Sequence, residues 1–143
     1  MNRLLRLDFL PRSYDLALLL LRVWIGFSLF YRHGIEKITN FSAMAAHFPN
    51  PVHIGPHASL AMALISDAVC SILVVIGLVT RLAALYIVVI IGTAFVFIHH
   101  LSMSPPHGSE IAYAYLGVFL TIFIAGPGRF SVDGAGTKGK KVR

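Results

Sequence analysis

Six ionisable residues lie inside or at the ends of apolar runs: Arg22, His33, Lys37, Asp67, His99 and Glu110. Charge in an apolar medium is costly, so each such group needs a partner or a task. The set admits a narrow chemistry. A guanidinium and a carboxylate can hold or polarise a polar head group, and imidazole and carboxylate groups near a surface can pass protons. Arg22 and Asp67 are opposite charges within different runs and read as a pair, either locking the structure or lining a polar cavity. His99 and Glu110 border one short loop and read as a proton-exchanging couple. The spacing gathers these groups onto helix faces. Arg22, Gly26, Phe30, His33 and Lys37 recur at steps of three and four, as do Ala63, Asp67, Cys70, Val74, Gly77 and Arg81. Glu110, Ala114, Gly117, Thr121 and Ile124 repeat the pattern. Small residues on such stripes let helices approach closely in lipid, so all three faces are expected to point inward.

Other chemistries find no support. The single cysteine, Cys70, excludes dithiol–disulfide chemistry within the chain and reads as a small packing residue. Seven histidines are present, and adjacent His99 and His100 cannot face one point on a helix. No metal site is expected. Neither a dinucleotide fingerprint nor a phosphate loop nor a Ser/His/Asp arrangement is visible.

The elements that position these groups are apolar spans. Of 143 residues, 57% are hydrophobic and only 13% charged, more apolar and far less charged than a soluble domain. Spans run over about residues 15–33, 58–79, 82–100 and 110–126, each near the ~20 residues that cross a bilayer, the fourth being shortest. Backbone groups in lipid must bond internally, so the spans are expected to be helices. The fold class is therefore all-α, an integral membrane four-helix bundle over residues 1–133 with a basic flexible tail over 134–143. Residues 40–48 form the one amphipathic segment outside the spans, expected as a short surface helix that covers the cavity opening. Thr80 and Arg81 alone separate the second and third spans. In a core about 30 Å thick, Arg22 and Asp67 then lie roughly 7 Å apart in depth.

The net charge of +6 flanks the spans rather than forming a nucleic-acid footprint. Nine lysines and arginines fall on the side of the termini and Arg81, against Arg32 and Lys37 on the other. The positive-inside rule places both termini in the cytoplasm. The first span is read as retained rather than cleaved, because Arg22 interrupts it and charged residues follow it.

Three stretches resemble the DoxX family of small bacterial membrane proteins: Leu20–Lys37, Asp67–Leu85 and Glu110–Asp133. They carry an arginine, a glycine and then G-x-x-K (Arg22, Gly26, Gly34, Lys37). An acid opens the second stretch, followed by G-L-x-T-R-x-A-A from Gly77. The third ends in G-P-G-x-x-S-x-D from Gly126. The resemblance covers nearly the whole chain, although the family usually carries glutamate where Asp67 stands. It implies a multi-pass protein of the bacterial inner membrane. Relatives include the membrane subunit of a thiosulfate:quinone oxidoreductase, and a mycobacterial relative is linked to superoxide detoxification and sulfur transfer. The leading expectation is a membrane subunit of a redox or sulfur-linked oxidoreductase system that contacts quinone, with Arg22, His33, Lys37, Asp67, His99 and Glu110 as its polar site. The alternatives are a non-enzymatic scaffold anchoring a soluble redox partner at the cytoplasmic face, or a small-molecule carrier. The bilayer is the expected surrounding, and a second copy of the chain is a further candidate partner.

Overall fold

A computed structural model of the chain describes residues 13–103 and 109–137. All regular structure among them is helical. Three continuous helices are long and apolar enough to cross a membrane: Tyr14–Thr39, Pro56–Ile76 and Thr80–Ile98, of 26, 21 and 19 residues. A fourth apolar helix, Glu110–Ala125, has 16 residues.

None of the three long helices is uniformly α-helical. The first comprises α1 (Tyr14–Leu29), a π-helical turn (Phe30–Gly34) and α2 (Ile35–Thr39). After the short α3 (Phe41–Ala45), the second comprises α4 (Pro56–Leu64), a π turn (Ile65–Cys70) and α5 (Ser71–Ile76). The third comprises α6 (Thr80–Thr93) and a π turn (Ala94–Ile98). Helices α7 (Glu110–Ala125) and α8 (Val132–Thr137) follow. Ser13 caps α1 by accepting from the Leu16 N–H, and Pro56 occupies the first turn of α4, where a missing N–H costs nothing.

Several boundaries differ from the expectation. The first helix continues past His33 to Thr39 because Arg32 and Glu36 stay exposed while Gly34 and Lys37 turn inward. The surface helix shrinks to Phe41–Ala45. The tight turn is Gly77–Val79, and Thr80 and Arg81 already belong to α6. Residues 134–137 of the expected tail complete α8, and residues 138–143 lie outside the described residues.

The core lies where the helices meet, around Leu29, Val74, Ala84, Ile87, Phe119 and Ile122. Trp24, Phe27, Leu82 and Ile124 face outward, as lipid-facing residues do. The chain is thus a membrane-embedded protein in contact with the bilayer. One expected face is reversed. Glu110, Ala114, Gly117, Thr121 and Ile124 are all exposed, and α7 buries Tyr115, Phe119 and Ile122 instead. Large side chains filled the core from this helix, leaving its small residues outside. A Cβ added at Gly117 would meet nothing within 4 Å.

Candidate functional site

Two glycines set the register between the first and second long helices. A Cβ on Gly26 would lie 2.9 Å from the Ser71 carbonyl oxygen, and one on Gly34 would lie 2.7 Å from that of Asp67. The backbones touch at both points, so Asp67 is level with Gly34 and not with Arg22. The twelve residues from Arg22 to Gly34 correspond to about 18 Å of helix. The expected Arg22–Asp67 pair therefore does not form: the separation exceeds the reach of an arginine.

Arg22 is fully buried and serves a different structure. Its Nη1 donates to the Val74 carbonyl at 3.3 Å and its Nη2 to the Phe130 carbonyl at 2.6 Å. It thereby joins the first helix to the end of the second and to the segment after α7. That segment grips the Gly77–Val79 turn. The Asp133 N–H donates to the Gly77 carbonyl at 2.9 Å. The Asp133 carboxylate accepts from the N–H groups of Val79 and Thr80, each at 2.9 Å, and from the Thr80 hydroxyl at 3.0 Å. In effect Asp133 caps α6 from 53 residues away. Val79, a β-branched residue, is held in the left-handed region at φ 49° by these bonds. Gly77 has φ 76°, and a Cβ there would collide with Arg22 Nη1, so both conformation and space require glycine. Burial alone pushes the Asp133 carboxyl upward. The bonds from Thr80 and Val79, with the Arg22 charge, outweigh it and hold Asp133 below the usual carboxylate range.

The partner of Asp67 is Lys37. Lys37 Nζ lies 2.8 Å from Asp67 Oδ2, with both side chains 10% exposed. The same ammonium donates to the His33 carbonyl at 3.4 Å. An ammonium carries three donors, so one N–H remains beyond these two acceptors. The pair lies on the wall of a cavity of about 300 Å³, which His33 and His99 also line. All four long helical segments contribute to this cavity: Leu29 from the first, Ala63 from the second, Ile91 and Ala94 from the third, and Ala112 and Tyr115 from α7. Phe48, just beyond α3, closes one side.

The three π turns converge on this cavity. His33 lies in the first, Asp67 in the second, and Ala94 opens the third, which ends at His99. A π turn inserts one residue into an α-helix and re-aims the side chains around it, and such turns are frequent at functional sites. The Ser71 hydroxyl donates to the carbonyls of Asp67 at 2.6 Å and Ala68 at 3.0 Å, stabilising the second turn. The Tyr115 ring stands edge-on to His33 at 6.1 Å, and its hydroxyl shares a 2.9 Å hydrogen bond with Ser28.

Four of the six expected site residues thus meet: His33, Lys37, Asp67 and His99. Arg22 belongs to the clasp around Gly77. Glu110 is exposed at the start of α7 and does not line the cavity, so the His99–Glu110 couple is not assembled there. Tyr115 is an addition that residue type alone did not single out, while Phe48 comes from the 40–48 segment expected to cover the opening. Tyr115 lies one position beyond the stripe assigned to α7, and only the larger volume of its side chain could have signalled that its face packs inward.

The family model DoxX matches residues 17–100. No curated protein and no solved structure matches the chain.

Proposed function

The chain belongs to the DoxX family, and from that premise we propose that it is a multi-pass protein of the bacterial inner membrane whose polar cavity binds a quinone-like head group for a redox system. All four apolar helices cross the bilayer in this reading, including the short α7, and both termini are cytoplasmic. The orientation rests on the nine-to-two split of Lys and Arg. Burial of Lys37 in an ion pair strengthens it, since that lysine then leaves the loop count.

One observation carries the reading: a buried ammonium–carboxylate pair, with two imidazoles beside it, on the wall of a 300 Å³ cavity. A pair that only locked helices together would need no space beside it. The remaining Lys37 N–H is suited to donate to a quinone carbonyl oxygen, with the imidazoles of His33 and His99 on the same cavity wall. Asp67 orients the Lys37 ammonium. The donor role expected of Arg22 passes to Lys37, because the Arg22 Nη groups are engaged by two carbonyls. With a single cysteine and no dithiol, the chain would contact the electron carrier while a partner supplies the electrons.

The test is binding of a benzoquinone analogue to the detergent-purified chain. The double variant Lys37→Met/Asp67→Leu removes the head-group donor together with its counter-ion, without leaving a lone buried charge. It should weaken binding at least tenfold, about 1.4 kcal/mol, while exposed Arg129→Ala should not change it. Equal affinity in all three proteins, or no binding by the parent, refutes the quinone assignment.

A further inference from the structure

A second cavity, of about 250 Å³, lies beside the first and shares Phe48, Ala63, Ile90 and Ala94 with it. Its chemistry is different. Lys37, Asp67, His33 and His99 all line the first cavity and none lines the second. The two side-chain hydroxyls on its wall are already engaged: Ser59 donates to Asn50 Oδ1 at 3.1 Å, and Thr93 donates to the Val89 carbonyl at 2.8 Å. Among the described residues, what remains of its lining is hydrocarbon and prolyl surface, without a charged or imidazole side chain to hold a head group. Its rim carries exposed Met62 from α4 and exposed Val89 from α6, so it opens sideways between the second and third long helices.

We infer that the two cavities form one site for an amphiphile, with the head against Lys37 and Asp67 and a single hydrocarbon chain in the apolar compartment, entered laterally from the bilayer. This rests on the head-group reading above and names the rest of the ligand. Ala63 and Ala94 stand on the wall common to both compartments, where larger side chains would narrow the passage. Phe48 stands at the same junction. The residues after it are fixed by Asn50, whose Oδ1 also accepts from the Gly55 N–H at 3.1 Å. Helices α4 and α6, with the residues after Phe48, thus line the chain channel, and α2 and the second π turn supply Lys37 and Asp67 to the head site.

Two probes test this on the full chain in detergent: a dimethoxy-methyl-benzoquinone without a chain, and the same head carrying a decyl chain. The ratio of their affinities is compared between the parent and Thr93→Phe, which fills the second cavity only. Partition of the chain into micelles affects both proteins equally and cancels. The decyl probe should bind at least tenfold tighter than the bare head to the parent, and Thr93→Phe should abolish that ratio while leaving bare-head affinity unchanged. A decyl probe with a carbene precursor at the chain end should label the parent near Met62, Val89 and Thr93, a measurement that does not depend on the variant folding. Binding of the bare head with no chain advantage, or labelling confined to the outer face around Trp24 and Phe27, overturns the inference and leaves the head-group reading intact. Failure of both probes to bind overturns both.

Discussion

Removing either member of the Lys37–Asp67 pair should cost the fold more than removing both. At 2.8 Å and an effective dielectric of about 20, the Coulombic attraction within the pair is about 6 kcal/mol. Each ion gave up several kcal/mol of hydration on burial, so the net advantage over a well-packed apolar pair is near zero. The single variants break this balance. Lys37→Met leaves the buried Asp67 carboxylate without the ammonium beside it, and Asp67→Leu leaves the ammonium with only the His33 carbonyl. Each should lose about 3–5 kcal/mol, whereas Lys37→Met/Asp67→Leu should lie within about 1 kcal/mol of the parent or above it. The assay is reversible unfolding in mixed micelles, read by circular dichroism and arranged as a double-mutant cycle. The coupling energy should reach several kcal/mol. Single-variant losses under about 1 kcal/mol with no coupling would match a solvated surface pair and refute the burial on which the site depends.

Two further expectations concern the clasp and the orientation. The folded-state pKa of Asp133 lies below its unfolded value, so its stabilisation is present above the unfolded pKa, near 4, and is lost as pH falls through the folded one. Unfolding measured across that acid window should show this loss in the parent, and Asp133→Asn should flatten it while lowering neutral-pH stability by about 1 kcal/mol, the worth of a helix cap. An unchanged acid slope in the variant would dissociate Asp133 from the α6 start. For orientation, reporters fused after Arg143 and near Pro51 should fall on opposite sides of the membrane, the first cytoplasmic. A cytoplasmic signal at Pro51 would reverse the proposed topology.

The helical architecture was legible because it follows from solvent. Long apolar runs broken by Gly and Pro admit few structures in lipid, and the three long helices fall where those runs do. Chemical type singled out four residues that line the cavity, His33, Lys37, Asp67 and His99, because ionisable groups in apolar runs are costly, and two, Arg22 and Glu110, that do not. Depth and facing were not legible, for two reasons. Depth was counted from assumed span ends, while the actual register is set by backbone contact at Gly26 and Gly34, which brings Asp67 to Lys37. Facing was extrapolated from small residues, which suits α1 and α5 but fails on α7, where Tyr115 and Phe119 fill the core.

The three π turns explain why a strict 3.6-residue reading does not fix how the cavity residues meet. Each interrupts the 3.6-residue repeat close to a cavity residue, so the pattern loses phase where the chemistry lies. The most specific motifs, from Gly77 and from Gly126, instead mark the clasp: Arg22, Gly77, Thr80 and Asp133 assemble into one interlocked turn. These residues hold three distant parts of the chain together, so their demands on residue type are strict. A cavity asks less of most of its wall, where Leu29, Ala63 or Ile91 need only be apolar and of suitable size. Motif specificity therefore follows the clasp, and the candidate site becomes visible only once the register at Gly34 has carried Asp67 to Lys37.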